Sequence, residues 1–161
     1  MGFQIGDKVI HGSFGLGEII SIEEIKVHGH LTSCYNVRID NLTIWIPIDE
    51  ADQHSLRNPT SPEEFSRMIA ILSSPGEELP ADRQQRADQL LTQIKGGQLG
   101  SICRAVRDLK HLQKATRLND KERYILDRTS KSLLTEWTYS LGVTPSQAQS
   151  TLTSLFEAPA A

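Results

Sequence analysis

Residues that could perform chemistry are few in this chain of 161 residues, and the glycine cluster Gly12-Ser-Phe-Gly15-Leu-Gly17 is the first candidate. Glycine-rich loops cradle phosphate when a Gly-Lys-Ser/Thr ending and a helix follow them. The Gly-Lys-Ser/Thr ending is absent here. No helix is expected after the cluster either, because residues 18–27 are rich in the β-branched side chains typical of a strand. The cluster therefore indicates a bent turn of a small barrel, where glycine permits positive φ or close backbone approach.

Histidines and cysteines form no recognisable site. His28 and His30 could share a face and meet a metal, but no cysteine or carboxylate has ligand spacing around them. Cys34 and Cys103 lie one in each half, with no histidine nearby to activate them, and are expected to be buried thiols. Paired acids stand in predicted strands or at helix starts. The sequence predicts no enzyme, no metal, no cofactor and no small-molecule substrate.

The first 58 residues have the pattern of short strands closed by turns. Apolar side chains alternate in residues 35–39 and again in 42–48, with a tight turn between them. Four or five short strands within residues 1–58 predict a small, strongly bent SH3-like or Tudor-like barrel. Pro47 has no N–H, so its end of the strand is expected at a sheet edge or beside a bulge.

Trp45 alternates away from the apolar face of its predicted strand. It should therefore be partly exposed. Exposed aromatic side chains on an edge strand are typical anchors for another protein. Two other interpretations remain open, in which Trp45 covers the open barrel or packs on the helical domain.

Residues 59–161 have the pattern of capped helices, which makes the whole chain α+β. Ser61 is a predicted N-cap, and Glu64 completes a capping box with it. Similar signals recur along the segment and predict an all-α domain of about five helices. The polar helix expected over residues 82–95 is predicted to turn Leu91 inward.

Charge is distributed unevenly along the chain. Residues 1–58 carry four basic and eight acidic side chains, whereas residues 83–131 carry twelve basic and five acidic ones. The net charge of −3 disfavours a free-standing, high-affinity nucleic-acid binder, because phosphate contacts need concentrated positive charge. The basic stretch leaves weak or tethered DNA contact open, and ordinary solvated helix faces would explain it as well.

Targeting signals give a default location. No apolar run approaches the ~20 residues that a membrane span needs. The first residues lack the basic and apolar regions of a signal peptide. We therefore expect a cytoplasmic protein without a membrane partner.

Several stretches, taken in order, resemble CarD-type bacterial transcription regulators over about residues 3–156. In the N-terminal part they are Ile5-Gly-Asp-Lys-Val-Ile10, Phe14-Gly-Leu-Gly-Glu-Ile19, Ile22-Glu23, Ile46-Pro47-Ile48 and Leu56-Arg57. In the C-terminal part they are Gly96-Gly97-Gln-Leu-Gly100, Ala105-Val-Arg-Asp-Leu109, Leu118-Asn-Asp-Lys-Glu-Arg123 and Leu133-Leu-Thr-Glu136. The N-terminal module also resembles the RNA-polymerase-interacting domain of transcription-repair coupling factors.

This resemblance implies two partners. The barrel, residues 1–58, would bind the β subunit of RNA polymerase by pairing an edge strand with it. The residues expected there are Glu24, Ile25, Lys26, Val27, Trp45 and Pro47. The helical domain, residues 59–161, would meet promoter DNA at the upstream edge of the melted bubble. The bases expected to face DNA are Arg83, Arg86, Arg104, Arg107, Lys110 and Lys114. Tethering to polymerase would make weak DNA affinity sufficient.

The sequence departs from the family pattern at three of these positions. Arg83 stands where many members carry a tryptophan that wedges into the minor groove. An arginine can enter a narrow minor groove but cannot unstack bases as an apolar wedge does. Ile25 and Trp45 replace frequent arginines on the polymerase side, which predicts a more apolar contact. The alternative function is a protein–protein adaptor with no direct DNA role.

Overall fold

The computed structural model describes residues 2–51 and 56–157. The chain divides into two compact units, Met1–Pro59 and Thr60–Ala161. The first unit is a four-stranded antiparallel half-barrel, and the second contains five described α-helices. The α+β class predicted from the sequence, with a small β-barrel module followed by helices, is confirmed.

The half-barrel is a simple meander in which each strand pairs with the next along the chain. The strands are β1 Lys8–His11, β2 Gly15–Val27, β3 His30–Ile39 and β4 Leu42–Pro47, in the spatial order β1-β2-β3-β4. A short 3₁₀ turn, Ile48–Glu50, follows β4. Ile10 and Arg57 then exchange two backbone hydrogen bonds of 2.7 and 3.0 Å, so the chain returns to the outer side of β1.

Alternation along the strands produces the core of the half-barrel. Tyr35, Val37 and Ile39 of β3 all point inward, as their spacing predicts. Gly17 of β2 packs directly beneath this row: a Cβ there would lie 2.5 Å from Ile39 Cγ1 and 2.7 Å from the Arg38 carbonyl oxygen. Only glycine allows this close approach of β2 to β3.

Capping residues set the limits of the helices, which are α1 Pro62–Ser73, α2 Arg83–Lys95, α3 Leu99–Ala115, α4 Asp120–Leu141 and α5 Pro145–Glu157. Ser61 Oγ accepts the Glu64 backbone N–H at 3.3 Å, as predicted for an N-cap, whereas the Glu64 side chain pairs with Arg67 and does not complete the predicted capping box. Asn119 and Glu122 form a reciprocal capping box of 2.8 and 2.9 Å. The α4 helix ends at Gly142, which has φ 64°.

The core of the helical unit is formed by apolar stripes from all five helices. Phe65 of α1 and Trp137 of α4 are both buried, with ring centroids 5.8 Å apart. The prediction that Leu91 faces inward is wrong, since this side chain is exposed. The inward face of α2 is defined by Ala87 and Leu90, and Leu91 lies about 100° around the helix from Leu90.

The start of the helical unit is fastened to α4. Glu136 is buried, and its Oε2 accepts hydrogen bonds from the Thr60 backbone N–H at 2.9 Å and the Thr60 hydroxyl at 2.6 Å. Hydrogen bonds to a charged acceptor are stronger than neutral ones. This contact therefore fixes the first residue after the half-barrel onto the longest helix.

Within residues 2–51 and 56–157, no helix combines the length and hydropathy that a membrane crossing requires. No group of three or more His, Cys, Asp or Glu side chains in the same described ranges is arranged to hold a metal ion.

Candidate interaction surfaces

The β2 strand outlasts its partner β1 and leaves an open edge. β1 pairs only with residues 15–18 of β2. Two further backbone hydrogen bonds join Ile19 to Gly6 and Asp7, and no strand pairs with this side of β2 beyond Ile19 among the described residues. Ile20 lies at an irregularity in the register, and residues 21–27 pair with β3 on their other side only. Their outward N–H and C=O groups therefore meet no strand among the described residues. Such an edge is a template for strand addition by another chain.

The far end of the β2–β3 hairpin is solvated on both faces. None of residues 22–33 is buried, although the strands continue to Val27 and restart at His30. We call this segment the ribbon. Ile22 and Leu31 are exposed apolar residues on it that the sequence analysis did not single out. The pairing register of β2 and β3 places both side chains on the inner face of the sheet, beyond the last buried core residues. This position cannot be read from the sequence alone.

Strand register places Ile25, Trp45 and Pro47 on one face of the sheet. Asn36 of β3 pairs with Trp45, and Cys34 pairs with Pro47. Ile25 pairs with Thr32, two residues along the same face of β3 from Cys34. Directly paired residues share a face, and adjacent strands are about 5 Å apart. These three predicted residues therefore share the outer face of the half-barrel, with Ile25 on the open-edge strand β2 and with Trp45 and Pro47 on β4, on the other side of β3.

The other predicted polymerase-side residues are distributed differently. Glu24 and Lys26 alternate with Ile25 and point to the opposite face, whereas Val27 shares the outer face. Together with Ile25, these three residues form the end of β2 that has an open edge, although their side chains point to different faces. Trp45 is 39% exposed, as its alternation predicts.

In the helical unit, Arg83 begins α2 and is exposed to solvent. It is exposed and forms no hydrogen bond or ion pair with a described residue. The first turn of α2 contains no acidic residue, and Asp82 caps it by accepting the Gln85 backbone N–H at 3.4 Å. A helix N-terminus and a free guanidinium together favour an anion.

Arg86, one turn further along α2, is placed quite differently. It forms an ion pair with Glu122 of α4, with side-chain exposures of 12% and 3%. Its Nη1 also donates to the Pro80 carbonyl oxygen at 3.2 Å. Arg86 therefore joins α2, α4 and the loop before α2, and two of its donors bind within the protein.

Arg107 of α3 is buried, with 8% of its surface exposed. Its Nε donates to Asp108 Oδ1 at 2.9 Å, and its Nη1 donates to Ser74 Oγ at 2.8 Å. The assignment of Arg86 and Arg107 as DNA-facing bases is corrected by these contacts. Both side chains are held inside the helical unit by partners that the sequence does not reveal.

The remaining predicted bases differ in how freely they can reach a ligand. Arg104 and Lys114 are exposed on α3, and Arg104 donates only within its helix, to Ser101 Oγ at 3.3 Å. Lys110 Nζ lies 5.8 Å from the ring centroid of Phe156 in a cation–π arrangement. Its ammonium group would have to leave this contact, at least in part, to bind a ligand.

Two further exposed bases were missed by the sequence analysis. Lys121 directly precedes Glu122, and Arg117 lies in the loop before α4. Because Arg86 joins Glu122 to α2, these two bases belong to the same end of the helical unit as Arg83. We call Arg83, Arg117 and Lys121 the basic end. Only the long-range ion pair, which a sequence does not show, reveals this grouping.

Neither cysteine offers a nucleophile. Burial raises the pKa of the Cys103 thiol to about 12, and the nearby Glu136 carboxylate acts in the same direction. Burial also raises the pKa of the Cys34 thiol, with a contribution from Glu50. Both thiols are therefore protonated at neutral pH, and the thiolate that would attack a substrate is scarce.

Comparison with protein families assigns both parts of the chain. Residues 3–59 match the family described as the CarD-like/TRCF RID domain. Residues 67–153, more than half of the chain, match the family described as CarD, C-terminal domain. The two matches follow each other in the order of the two compact units.

The contrast between the neighbouring arginines of α2 yields a stability prediction. Replacing Arg86 by Met should lower the free energy of unfolding by about 3 kcal/mol, because it leaves Glu122 buried without its cation. Replacing Arg83 by Met, one turn earlier on the same helix, should change the free energy of unfolding by less than about 0.5 kcal/mol. Urea denaturation followed by the far-ultraviolet circular dichroism of the helices measures both values. Equal effects of the two substitutions would contradict the placement of Arg86.

Proposed function

The chain belongs to the CarD family of RNA-polymerase-binding transcription regulators, and on that premise we propose that its half-barrel binds the β subunit while its helical unit contacts promoter DNA. The family is non-catalytic, so the protein is a regulator and no enzyme. It would act in the cytoplasm, where bacterial polymerase and promoters are found.

The open edge of β2 is the observation that carries the polymerase part of the proposal. Residues 21–27 offer seven consecutive positions for an added strand. The outer edge of β4 is shorter, and Pro47 cannot donate a hydrogen bond there. Strand addition gives affinity through backbone hydrogen bonds and specificity through alternate side chains. We therefore assign the added strand to β2.

The outer face supplies the side-chain anchor in this proposal. Trp45 is large and partly exposed, Pro47 lies two residues further along the same strand, and Ile25 shares their face on β2, across β3. Aromatic residues near the centre of an interface commonly contribute most of its binding energy. With Ile25 and Trp45 in place of arginines, the contact would depend on apolar burial and be only weakly sensitive to salt.

The DNA part of the proposal is supported by the basic end. Arg83 is exposed beside the positive end of the α2 dipole, and Lys121 and Arg117 stand close to the α4 start that is joined to α2. Lysine and arginine at such positions bind phosphate, and a free arginine can enter a narrow minor groove. Arg104 and Lys114 would add contacts along α3.

Tethering reconciles this DNA contact with the charge of the chain. The net charge is −3, and the half-barrel region carries the acidic excess. A second binding event becomes effectively intramolecular once the first partner is bound. The basic end then needs only weak intrinsic affinity, because the polymerase holds it near the promoter.

A second candidate function is a polymerase-bound adaptor without DNA contact. It is favoured by Arg83 itself, which replaces the apolar wedge, and by Arg86 and Arg107, which are held in ion pairs inside the helical unit. In that case the basic end would be an ordinary solvated surface. The two candidates differ in whether the basic end makes a salt-sensitive contact with DNA.

The polymerase contact predicts a selective effect of Trp45→Ala. This substitution should raise the Kd of the full chain for the isolated N-terminal lobes of the polymerase β subunit at least about tenfold, as loss of a central aromatic anchor does. Calorimetric titration measures the Kd. Leu42→Ala is the matched control, because Leu42 lies on the same strand at a similar exposure of 44% but at the other end and on the other face.

The control should bind like the unchanged protein. A Kd that Trp45→Ala does not alter, or an equal loss in both variants, would count against the proposed anchor.

The DNA contact predicts a change in salt dependence. In the double variant Arg83→Glu/Lys121→Glu, the lifetime of the promoter complex formed with the protein should fall. The slope of log lifetime against log salt concentration should drop by about one for each base that contacts phosphate. Affinity for the β-subunit lobes should stay the same. Filter-binding decay of preformed promoter complexes gives the lifetimes.

Lys95→Glu serves as control, because Lys95 is an exposed base in the last turn of the same helix α2. Its lifetime and salt slope should match those of the unchanged protein. An unaltered lifetime and slope in the double variant would favour the adaptor without a DNA role.

A further inference from the structure

The loop between α1 and α2, residues 74–82, leads directly to Arg83, and two adjacent charged residues of α3 hold it. Arg107 donates from Nη1 to Ser74 Oγ at 2.8 Å. Asp108 Oδ1 accepts the Glu77 backbone N–H at 2.9 Å and the Arg107 Nε–H at the same distance. One ion pair on α3 thus makes two contacts to the loop.

Two further contacts fix the same loop. Gly76 lies against His111 of α3, where an added Cβ would come within 2.8 Å of the His111 ring carbon Cγ. At the far end, Arg86 donates to the Pro80 carbonyl oxygen. The loop is therefore fastened at its start, middle and end, immediately before Arg83.

Apolar burial does not explain the order of this loop. No residue of 74–82 is buried, and only Leu79 contributes a half-buried aliphatic side chain to the neighbouring core. The first turn of α2, residues 83–86, contains no buried apolar residue either. The hydrogen bonds of the Arg107–Asp108 pair are thus the main contacts that fix the first half of the loop.

Stability alone does not explain the buried Arg107–Asp108 ion pair, because burying two charges costs free energy. Both side chains are nine-tenths or more buried, and Arg107 Nη2 is buried without a hydrogen-bond partner in the described structure. Buried ion pairs often stabilise no better than apolar residues of similar size, and an unsatisfied donor adds to the cost. What this arrangement provides, which an apolar pair could not, is directed hydrogen bonds to the loop.

We propose that Arg107 and Asp108 are positioning residues, which hold the 74–82 loop on α3 and thereby fix Arg83 in the orientation that contacts DNA. This inference rests on the proposed DNA contact. A fixed loop lowers the conformational entropy that the basic end loses on binding. Arg107, the basic residue of the family-like stretch Ala105–Leu109, then affects DNA binding only by positioning Arg83 and makes no contact with DNA itself.

Arg107→Met tests the proposal through two measurements on the full chain. Exchange of the Glu77 amide should become at least about tenfold faster, since the substitution removes the hydrogen bond to Ser74 and the cation that holds Asp108, the acceptor of that amide. The promoter-complex lifetime should fall in the otherwise unchanged protein. In an Arg83→Ala background, the same substitution should produce no further fall, because the two residues act in series.

Ser74→Ala is a milder second variant, which removes the hydroxyl that accepts from Arg107 and donates to the Ile71 carbonyl oxygen, and it should show both effects in smaller size. Arg67→Met is the control for exchange and lifetime, since Arg67 is exposed and pairs with Glu64 on its own helix. It should leave both measurements unaltered.

Unchanged loop exchange in Arg107→Met and Ser74→Ala would overturn the proposal. So would an equal loss of lifetime in the presence and absence of Arg83, which would indicate general destabilisation. Failure of the DNA contact itself gives a different result: Arg83→Ala alone would leave the lifetime unaltered while Arg107→Met still accelerated loop exchange. That result would remove the positioning role together with the proposed function.

Discussion

The ion pair between Arg86 and Glu122 is the interaction on which the basic end of the helical unit depends. One carboxylate serves two elements, because Glu122 completes the capping box of α4 through Asn119 and also holds Arg86 of α2. Arg86 in turn reaches the loop before its own helix. The starts of α2 and α4 are joined in this way, and the free bases Arg83 and Lys121 lie next to the junction.

The cost of burying charge sorts the basic stretch of residues 83–131 into two classes. Three of its five acids, Asp108, Asp120 and Glu122, form ion pairs with arginines of the same stretch. An unpaired buried cation is too costly, so the internal arginines have partners, while the excess bases remain on the surface. The exposed bases Arg83, Arg117 and Lys121 can therefore reach a ligand, which is what a tethered DNA contact in our proposal needs. The acidic half-barrel would instead be held by its open strand edge and apolar face.

Local signals in the sequence predicted the fold well, because capping, turn geometry and alternation act between neighbours in the chain. The Asn119–Glu122 capping box, the inward row of β3 and the partial exposure of Trp45 all follow from spacing alone. The surfaces were harder to predict. The open edge of β2 depends on where β1 stops, and the partners of Arg86 and Arg107 are 36 and 33 residues away. The sequence around an arginine does not show whether a distant carboxylate or hydroxyl binds it in the fold. Buried and exposed arginines therefore could not be distinguished from the sequence. Leu91 was misplaced for a similar reason, since a polar helix with three apolar residues leaves its inward face ambiguous.

The division of labour between the two units is the central claim, and site-specific photo-crosslinking tests it most directly. A benzoylphenylalanine would be placed singly at position 25, 83 or 95 of the full chain, and each protein would be irradiated in the polymerase–promoter complex. Our account predicts that position 25 crosslinks to the polymerase β subunit, that position 83 crosslinks to DNA near the upstream edge of the bubble, and that position 95 does not crosslink to DNA. Crosslinks from position 83 to polymerase alone, or from position 25 to DNA, would contradict it.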